Sequence, residues 1–240
     1  PLILNADGKK LSKRDGVTSI NEFRSMGYTA EAIANYMTLL GWSVPEGMEE
    51  RFTLREAADQ FSFDRVNKAG ARFDWDKLNW LNAQVLHSWS SAQLLDVLRP
   101  LWLKNGWTIP NDNGWALELC ELLGPSLTLL NDGLDQAAPF FECPDLEDDG
   151  LKQLQSEGAK AAIGHLIDAL QAERWMGTDF DQAQTLLGDA AKAAGVKKGV
   201  MMKSLRAALL GRLQGPDLLT TWSLLAKNSD DLPRLQRCLS

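Results

Sequence analysis

The residues with the clearest chemical potential lie almost at the front of the chain, in "GKKLSKRDG", Gly8 to Gly16. Lys9, Lys10, Lys13 and Arg14 crowd together there, in a chain whose formal net charge is -7. Ammonium groups on a short loop can neutralise the charge that builds on a polyphosphate during displacement, and Ser12 can donate a hydrogen bond to the same group. Lysine suits this work as a compact point charge on a flexible stem. Gly8 and Gly16 flank the loop and would let it hinge. By itself the pattern also fits a solvated surface loop. The stretch before it, "PLILNAD", is too short to build a phosphate site. It reads as a strand running into a turn and begins with Pro1 rather than Met, so the expectation is a fragment whose earlier part is missing.

A second concentration of charge appears late in the chain. Residues 188–214 carry Lys192, Lys197, Lys198, Lys203, Arg206 and Arg212 against one acid, Asp189, whereas residues 105–151 carry ten acids and no Lys or Arg. A basic run of this kind is either a solvated face or a contact surface for a phosphate backbone, which Lys and Arg bind without reading sequence. If it contacts RNA, Arg206 is favoured there because a guanidinium can pair bidentately.

The elements that must position these residues are helices. Ser19 and Glu22 form a capping box ahead of a short helix that Gly27 ends. Thr29 caps a longer one carrying Ile33, Tyr36, Met37 and Leu40 on one face. Thr53 and Glu56 form a second box, Asp74 precedes "WDKLNWLNAQVL", and Ser91 begins "AQLLDVLRPLWLK", where Pro100 predicts a kink or a break. Trp75 and Trp80, five residues apart, do not share a face and read as packing residues. "NGWTIPNDNG" is turn-rich, "WALELCELLG" helical, and "PFFECPDLEDDG" an acidic connector. Five more helical stretches follow, from "GAKAAIGHLIDALQAE" to "DDLPRLQRCL". No alternating strand pattern is found after about residue 10, so the fold is expected to be mainly α.

Composition limits the function classes. A pI of about 4.9 argues against a general nucleic-acid coat while leaving room for a local basic face. The nine Trp read as core packing. Cys120, Cys143 and Cys238 are odd in number and widely spaced, with neither a disulfide framework nor zinc spacing, which favours a reducing cytosolic compartment. His87 and His165 stand alone and read as structural or solvated. No apolar run approaches about 18 residues, so no membrane span is expected, and no signal peptide is recognisable.

The opening loop resembles the KMSKS signature of class I aminoacyl-tRNA synthetases, in the "KLSKR" form typical of the glutamyl enzymes. "GYTAEAIANYMTLLGWS" and "FSFDRVNKAGARFDWDKLNWLN" resemble successive segments of the same family in order and spacing, and "MMKSLRAALLGRLQGPDL" resembles a stretch of its anticodon-binding domain. Residues 1–83 and 196–219 match most closely. The family is identified as bacterial-type glutamyl-tRNA synthetase.

This resemblance implies a mainly α fold in which residues 1–16 end a catalytic domain and 17–90 form a helical stem-contact domain. Residues 91–150 and 151–240 would be two α-helical anticodon-binding bundles. It implies ligation of glutamate to tRNA with ATP and magnesium as reactants, with no zinc in this chain. Lys13 would contact ATP, and Lys10, Ser12 and Arg14 would support the phosphates. Lys68 and Arg72 would meet the RNA backbone, the alternative for both being a solvated loop, and Lys197, Lys198, Lys203 and Arg206 would lie toward the anticodon. The expected partners are tRNA(Glu), glutamate and ATP, for a monomer in the cytoplasm with no membrane contact.

Two departures from the family pattern matter. No HIGH-like motif occurs, since neither "VLHSW" nor "IGHLI" fits, and the expectation is that this chain alone cannot form the adenylate. Family members restricted to tRNA(Glu) tend to carry an arginine near the last anticodon base. Ser126 stands at the nearest aligned position here, which makes tRNA(Gln) a second expected substrate. Two other readings remain: a non-catalytic tRNA-binding module of the same descent, and a helical protein–protein scaffold.

Overall fold

In the computed structural model, residues 2–12, 19–110 and 113–239 are described. The chain opens with a two-residue strand, β1 (Ile3–Leu4). The helical boxes read from sequence then form as expected. The Ser19 side chain accepts from the Glu22 N–H, while the Glu22 carboxylate accepts from the Ser19 N–H, and α1 (Ile20–Met26) follows. Thr29 caps α2 (Ala30–Gly41), and the Thr53–Glu56 box caps α3 (Leu54–Gln60). A short strand, β2 (Ala71–Arg72), lies parallel to β1 with Ile3 opposite Ala71 and Leu4 opposite Arg72. This strand was not expected. Two residues are too few to leave an alternating pattern, and only the partner strand reveals it.

Asp74 caps α4 (Trp75–Ser88). The next helix, α5 (Ser91–Lys104), is capped by Ser90, which exchanges hydrogen bonds with Gln93. It runs through Pro100 without a break, contrary to a break at that residue. Buried Leu94, Leu95 and Leu98 before the proline and Trp102 after it hold both halves in helical register. α6 (Asn113–Leu123) then gives way to a 3-10 turn at Gly124–Ser126, which contains Ser126. There follow α7 (Asp132–Asp135), α8 (Ala138–Phe141), α9 (Asp148–Leu154), α10 (Ala159–Ala172), α11 (Phe180–Ala193), α12 (Lys198–Leu210), α13 (Leu218–Lys227) and α14 (Asp231–Arg237).

By packing, the chain forms two compact units, residues 1–98 with 124–135 and residues 99–123 with 136–240. In the first unit α2 packs on α4 around Phe23, Tyr28, Ile33, Tyr36, Leu40, Phe73, Leu78 and Leu81. The segment 124–135 joins this unit through specific hydrogen bonds. Gly27, at φ 97°, offers its carbonyl to the Leu130 N–H at 2.9 Å, and a Cβ at that position would meet the Asn131 nitrogen at 2.8 Å. Glycine is required there for both conformation and space. Asn82, fully buried, accepts from the Thr29 N–H at 2.8 Å and donates to the Thr128 carbonyl at 2.6 Å. Asn82→Ala strands these buried groups and is expected to destabilise the unit by about 2–4 kcal/mol. Urea unfolding of the purified chain measures this, and a loss below about 0.5 kcal/mol would show that the bridge is not needed.

Trp75 lies in the aromatic cluster with Phe23, Tyr28 and Phe73, as a packing residue should. Trp80 does not. It is 44% exposed, with the Lys77 ammonium 4.5 Å above its ring. The apolar face of α4 is already filled by Leu78, Leu81 and Val85, which turns Trp80 outward.

In the second unit α12 is central and contacts α9, α10, α11, α13 and α14. Its buried Ala207 and Ala208 admit close neighbours. α9 spans the boundary expected at residue 150, and it packs directly on α12. Arg174 forms an ion pair with fully buried Asp231, which also accepts from the Trp222 indole N–H at 2.9 Å.

Candidate functional site

The opening loop is built on a tight turn. The Asn5 N–H donates to the Lys9 carbonyl at 2.7 Å, the Asn5 side chain accepts from the Lys9 N–H at 3.0 Å, and Gly8 turns the chain at φ 77°. The returning arm is anchored by the Leu11 N–H on the Ile3 carbonyl at 2.9 Å and by an antiparallel bridge from Lys10 to Leu4. Leu11 packs against the core of the first unit. Lys9, Lys10 and Ser12 are exposed at the surface beside it. Lys13 and Arg14 lie outside the described residues.

The sheet brings a distant residue to this loop. Leu4 pairs with Lys10 on one side and with Arg72 on the other. The Arg72 guanidinium extends to Gly8, its Nη2 lying 3.9 Å from where a Cβ would stand. Arg72 also lines a cleft of about 400 Å³ together with Tyr36, Trp42, Ser43, Asp74 and Lys77. Within this cleft the Tyr36 hydroxyl accepts from the Asp74 N–H at 2.6 Å, and Lys77 pairs with Glu50. Burial raises the Tyr36 pKa above its ordinary value, which keeps the phenol neutral. Lys68 is exposed on the loop leading to β2 and meets neither group in the contacts described. The spacing of Lys10 and Arg72 in sequence gives no hint that both pair with Leu4, and the cleft could not be read from the sequence at all.

The basic run of the second unit divides into two kinds of residue. Lys197 is the N-cap of α12 and makes no capping bond through its side chain. Lys198 opens the helix, no acid occupies its first turn, and Lys197, Lys198 and Lys203 are all exposed. Two cations at a helix N-terminus are opposed by the macrodipole, so this end of α12 is electrostatically ready for an anion. Arg206 is different. It is half-buried, its Nη1 donates to the Pro216 carbonyl at 2.7 Å, and burial lowers its pKa from the usual arginine value, partly offset by Asp217. Its bidentate capacity, on which the expectation of RNA contact rested, is partly taken up inside the fold. Arg212 similarly faces Glu147 at 3.7 Å.

The histidines carry no catalytic geometry. His87 bonds the Leu127 carbonyl through Nε2 at 3.0 Å, and His165 is exposed. Among the described residues no cluster of three or more His, Cys, Asp or Glu could hold a metal ion, so the ligands of a magnesium ion accompanying ATP are not assigned to them. No helix among them is long and apolar enough to cross a membrane.

A family described as "Anticodon binding domain" matches residues 93–239, which include α12 and its exposed lysines. The chain belongs to that anticodon-binding domain family. A second family, "tRNA synthetases class I (E and Q), catalytic domain", matches residues 1–80 and thus the Lys10–Leu4–Arg72 sheet. Over its full length the chain is 75% identical to a glutamate–tRNA ligase of Parasynechococcus marenigrum and 73% identical to one from a Synechococcus strain. It spans about half of each, 50% in both cases. Among solved structures, a glutamate tRNA ligase from Elizabethkingia meningosepticum in complex with its amino acid superposes with a TM-score of 0.86 at 27% identity. That match covers 99% of this chain and 50% of the other.

Proposed function

We propose that this chain is part of a glutamate–tRNA ligase, supplying the lysine loop that faces ATP and the helical surfaces that bind tRNA. The observation that supports this most is the 75% identity, sustained over all 240 residues, to a protein of that name. In this reading Lys13 contacts the ATP phosphates, while Lys10, Ser12 and Arg14 neutralise and bond them as charge develops. Arg72, held beside Lys10 through Leu4, adds a cation to the same face, and Lys68 and Arg72 approach the RNA backbone. Lys197, Lys198 and Lys203 lie toward the anticodon arm, where unpaired bases can be splayed and read. Arg206 would support that surface through its bond to Pro216. The working state would be a monomer in the cytoplasm, charging tRNA(Glu) with glutamate and ATP.

Binding of tRNA by the purified chain tests the RNA half of this reading. Affinity should fall steeply with salt. Each of Lys197→Gln, Lys198→Gln and Lys203→Gln should reduce the log–log salt slope by about 1, without altering thermal stability. Salt-independent binding, or slopes untouched by the three changes, would refute it. The absence of any cation between Lys104 and Lys152 supports a relaxed specificity as well. A bidentate arginine contact discriminates by roughly 1–3 kcal/mol, and without one tRNA(Gln) should be charged at a rate comparable to tRNA(Glu). Strong rejection of tRNA(Gln) by the ligase containing this chain would end that part of the proposal.

A further inference from the structure

The cleft beside Arg72 holds more hydrogen-bond donors than the ligase reading uses. Its volume is about 400 Å³, and its walls come from the end of α2, the segment after it, β2 and the start of α4, all in the first unit. Trp42 lines the cleft, is 3% exposed, and has an indole N–H with no hydrogen-bond partner among the described residues. Tyr36 lines it too and is 2% exposed. Its hydroxyl oxygen accepts from the Asp74 N–H at 2.6 Å, and its own proton meets no acceptor among the described residues. Burial raises the pKa of that phenol, so the proton stays on it. The Arg72 guanidinium forms no hydrogen bond or ion pair with the described residues either.

Buried donors in native folds nearly always find an acceptor, because leaving one unpaired forfeits the hydration it had in the unfolded chain. Two such donors in one cleft, beside a free guanidinium, match a group that brings several oxygen lone pairs and a negative charge to one centre. An oxyanion does this, and a guanidinium can pair with it bidentately. The cleft carries acceptors as well. Asp74 commits one carboxylate oxygen to the Lys77 N–H at 3.1 Å, and Glu50 commits one to the Lys77 ammonium. The second oxygen of each remains for hydroxyl groups. Leu39, Leu40 and Val44 add apolar wall, against which a carbon skeleton can lie.

We propose that this cleft binds a phosphorylated sugar, its phosphate held by Arg72, Trp42 and Tyr36 and its hydroxyls by Asp74 and Glu50. The volume lies in the range of small-ligand sites. A phosphate on ribose occurs in free sugar phosphates and along the RNA backbone, and the cleft recognises the group common to both. Recognition of the free form does not depend on the ligase reading; recognition of the RNA form does.

Proton–nitrogen NMR of the purified chain reads the Trp42 indole directly, its signal being the one lost in Trp42→Phe. The probe is ribose 5-phosphate, with ribose and inorganic phosphate as controls. The expected result is a saturable downfield shift of the Trp42 indole proton, with affinity about tenfold or more above either control. Arg72→Gln should weaken binding about 10–100-fold and Trp42→Phe about 2–10-fold, as for a charged and a neutral hydrogen bond. Arg72 is exposed, so its replacement leaves the core untouched. Added tRNA separates the sources. If it moves the Trp42 signal or displaces ribose 5-phosphate, the occupant is the RNA backbone; if ribose 5-phosphate binds and is not displaced, the occupant is a free sugar phosphate. A chain that fails to bind tRNA but takes ribose 5-phosphate would end the RNA reading and keep this one. No Trp42 shift with either ligand, an equal response to inorganic phosphate, or binding unaltered in Arg72→Gln would each overturn the proposal.

Discussion

Replacing Arg234 with methionine is expected to cost the second unit about 3–5 kcal/mol. The guanidinium is 3% exposed and donates to three backbone carbonyls, Pro139 at 2.6 Å, Leu209 at 2.9 Å and Glu142 at 3.3 Å. Those carbonyls belong to α8, α12 and the connector after α8, so one side chain ties three segments to α14. Burial lowers its pKa from the ordinary arginine value, and Cys143 and the carboxylate of Asp230 act in the opposite sense. Methionine fills much of the same volume but donates nothing, leaving two buried acceptors and one part-buried acceptor without that partner. Arg234→Lys should recover less than half of the loss, since one ammonium cannot span the fork of three acceptors. Denaturant unfolding of the chain measures both. A loss below about 1 kcal/mol for the methionine variant, with an unchanged denaturant slope, would show that the three carbonyls find other partners.

The second large effect falls on the opening loop. In the ligase proposed to contain this chain, Lys13→Ala should lower the rate of glutamate-dependent ATP–pyrophosphate exchange by about 10²–10³-fold, the typical consequence of removing one preorganised charge-stabilising donor. The loss should fall on kcat, with tRNA affinity nearly unchanged, because the loop serves the phosphates. Lys10→Ala should cost less. Lys10 is pinned to Leu4 by the sheet and shares its face with Arg72, so a second cation remains close by. Residues 1–240 alone should show no exchange, since they hold no HIGH-like motif. A Lys13→Ala enzyme with unaltered exchange would remove the catalytic role assigned to the loop. Glutamate-dependent turnover by residues 1–240 alone would show that they hold a complete activating site. A chain that binds tRNA in a ligase untouched by either lysine change would instead be the non-catalytic binding module.

Much of the helical plan was legible locally. Ser19 with Glu22, Thr53 with Glu56, Thr29 and Asp74 are caps whose partners lie within three residues, so the signal and the structure are the same short-range hydrogen bonds. Pro100 left a kink or a break open, and the helix runs unbroken, because a proline's cost is local whereas the burial of Leu98 and Trp102 on either side of it is not. Trp80 misled for a related reason. Aromatic character favours burial, but the face available to α4 was already occupied by Leu78, Leu81 and Val85.

The charges show the same division. Clusters contiguous in sequence, such as Lys9–Arg14 and Lys197–Lys198, are visible without coordinates. Whether a given cation is free is decided by what folds against it. Lys203 and Arg206 belong to one run, yet one is exposed and the other holds the Pro216 carbonyl.

The amino-acid sequence by itself determined the mainly α class, most helix boundaries and the lysine loop with its resemblance to the synthetases. Each of these rests on residues a few positions apart, where spacing translates directly into geometry. Only the tertiary structure decided that Arg72 stands beside Lys10 across Leu4, that residues 124–135 pack with the first unit, and that Arg234 clamps three segments. These pairings join residues far apart along the chain, and they exist because burying apolar faces fixes which distant backbones must share their hydrogen bonds.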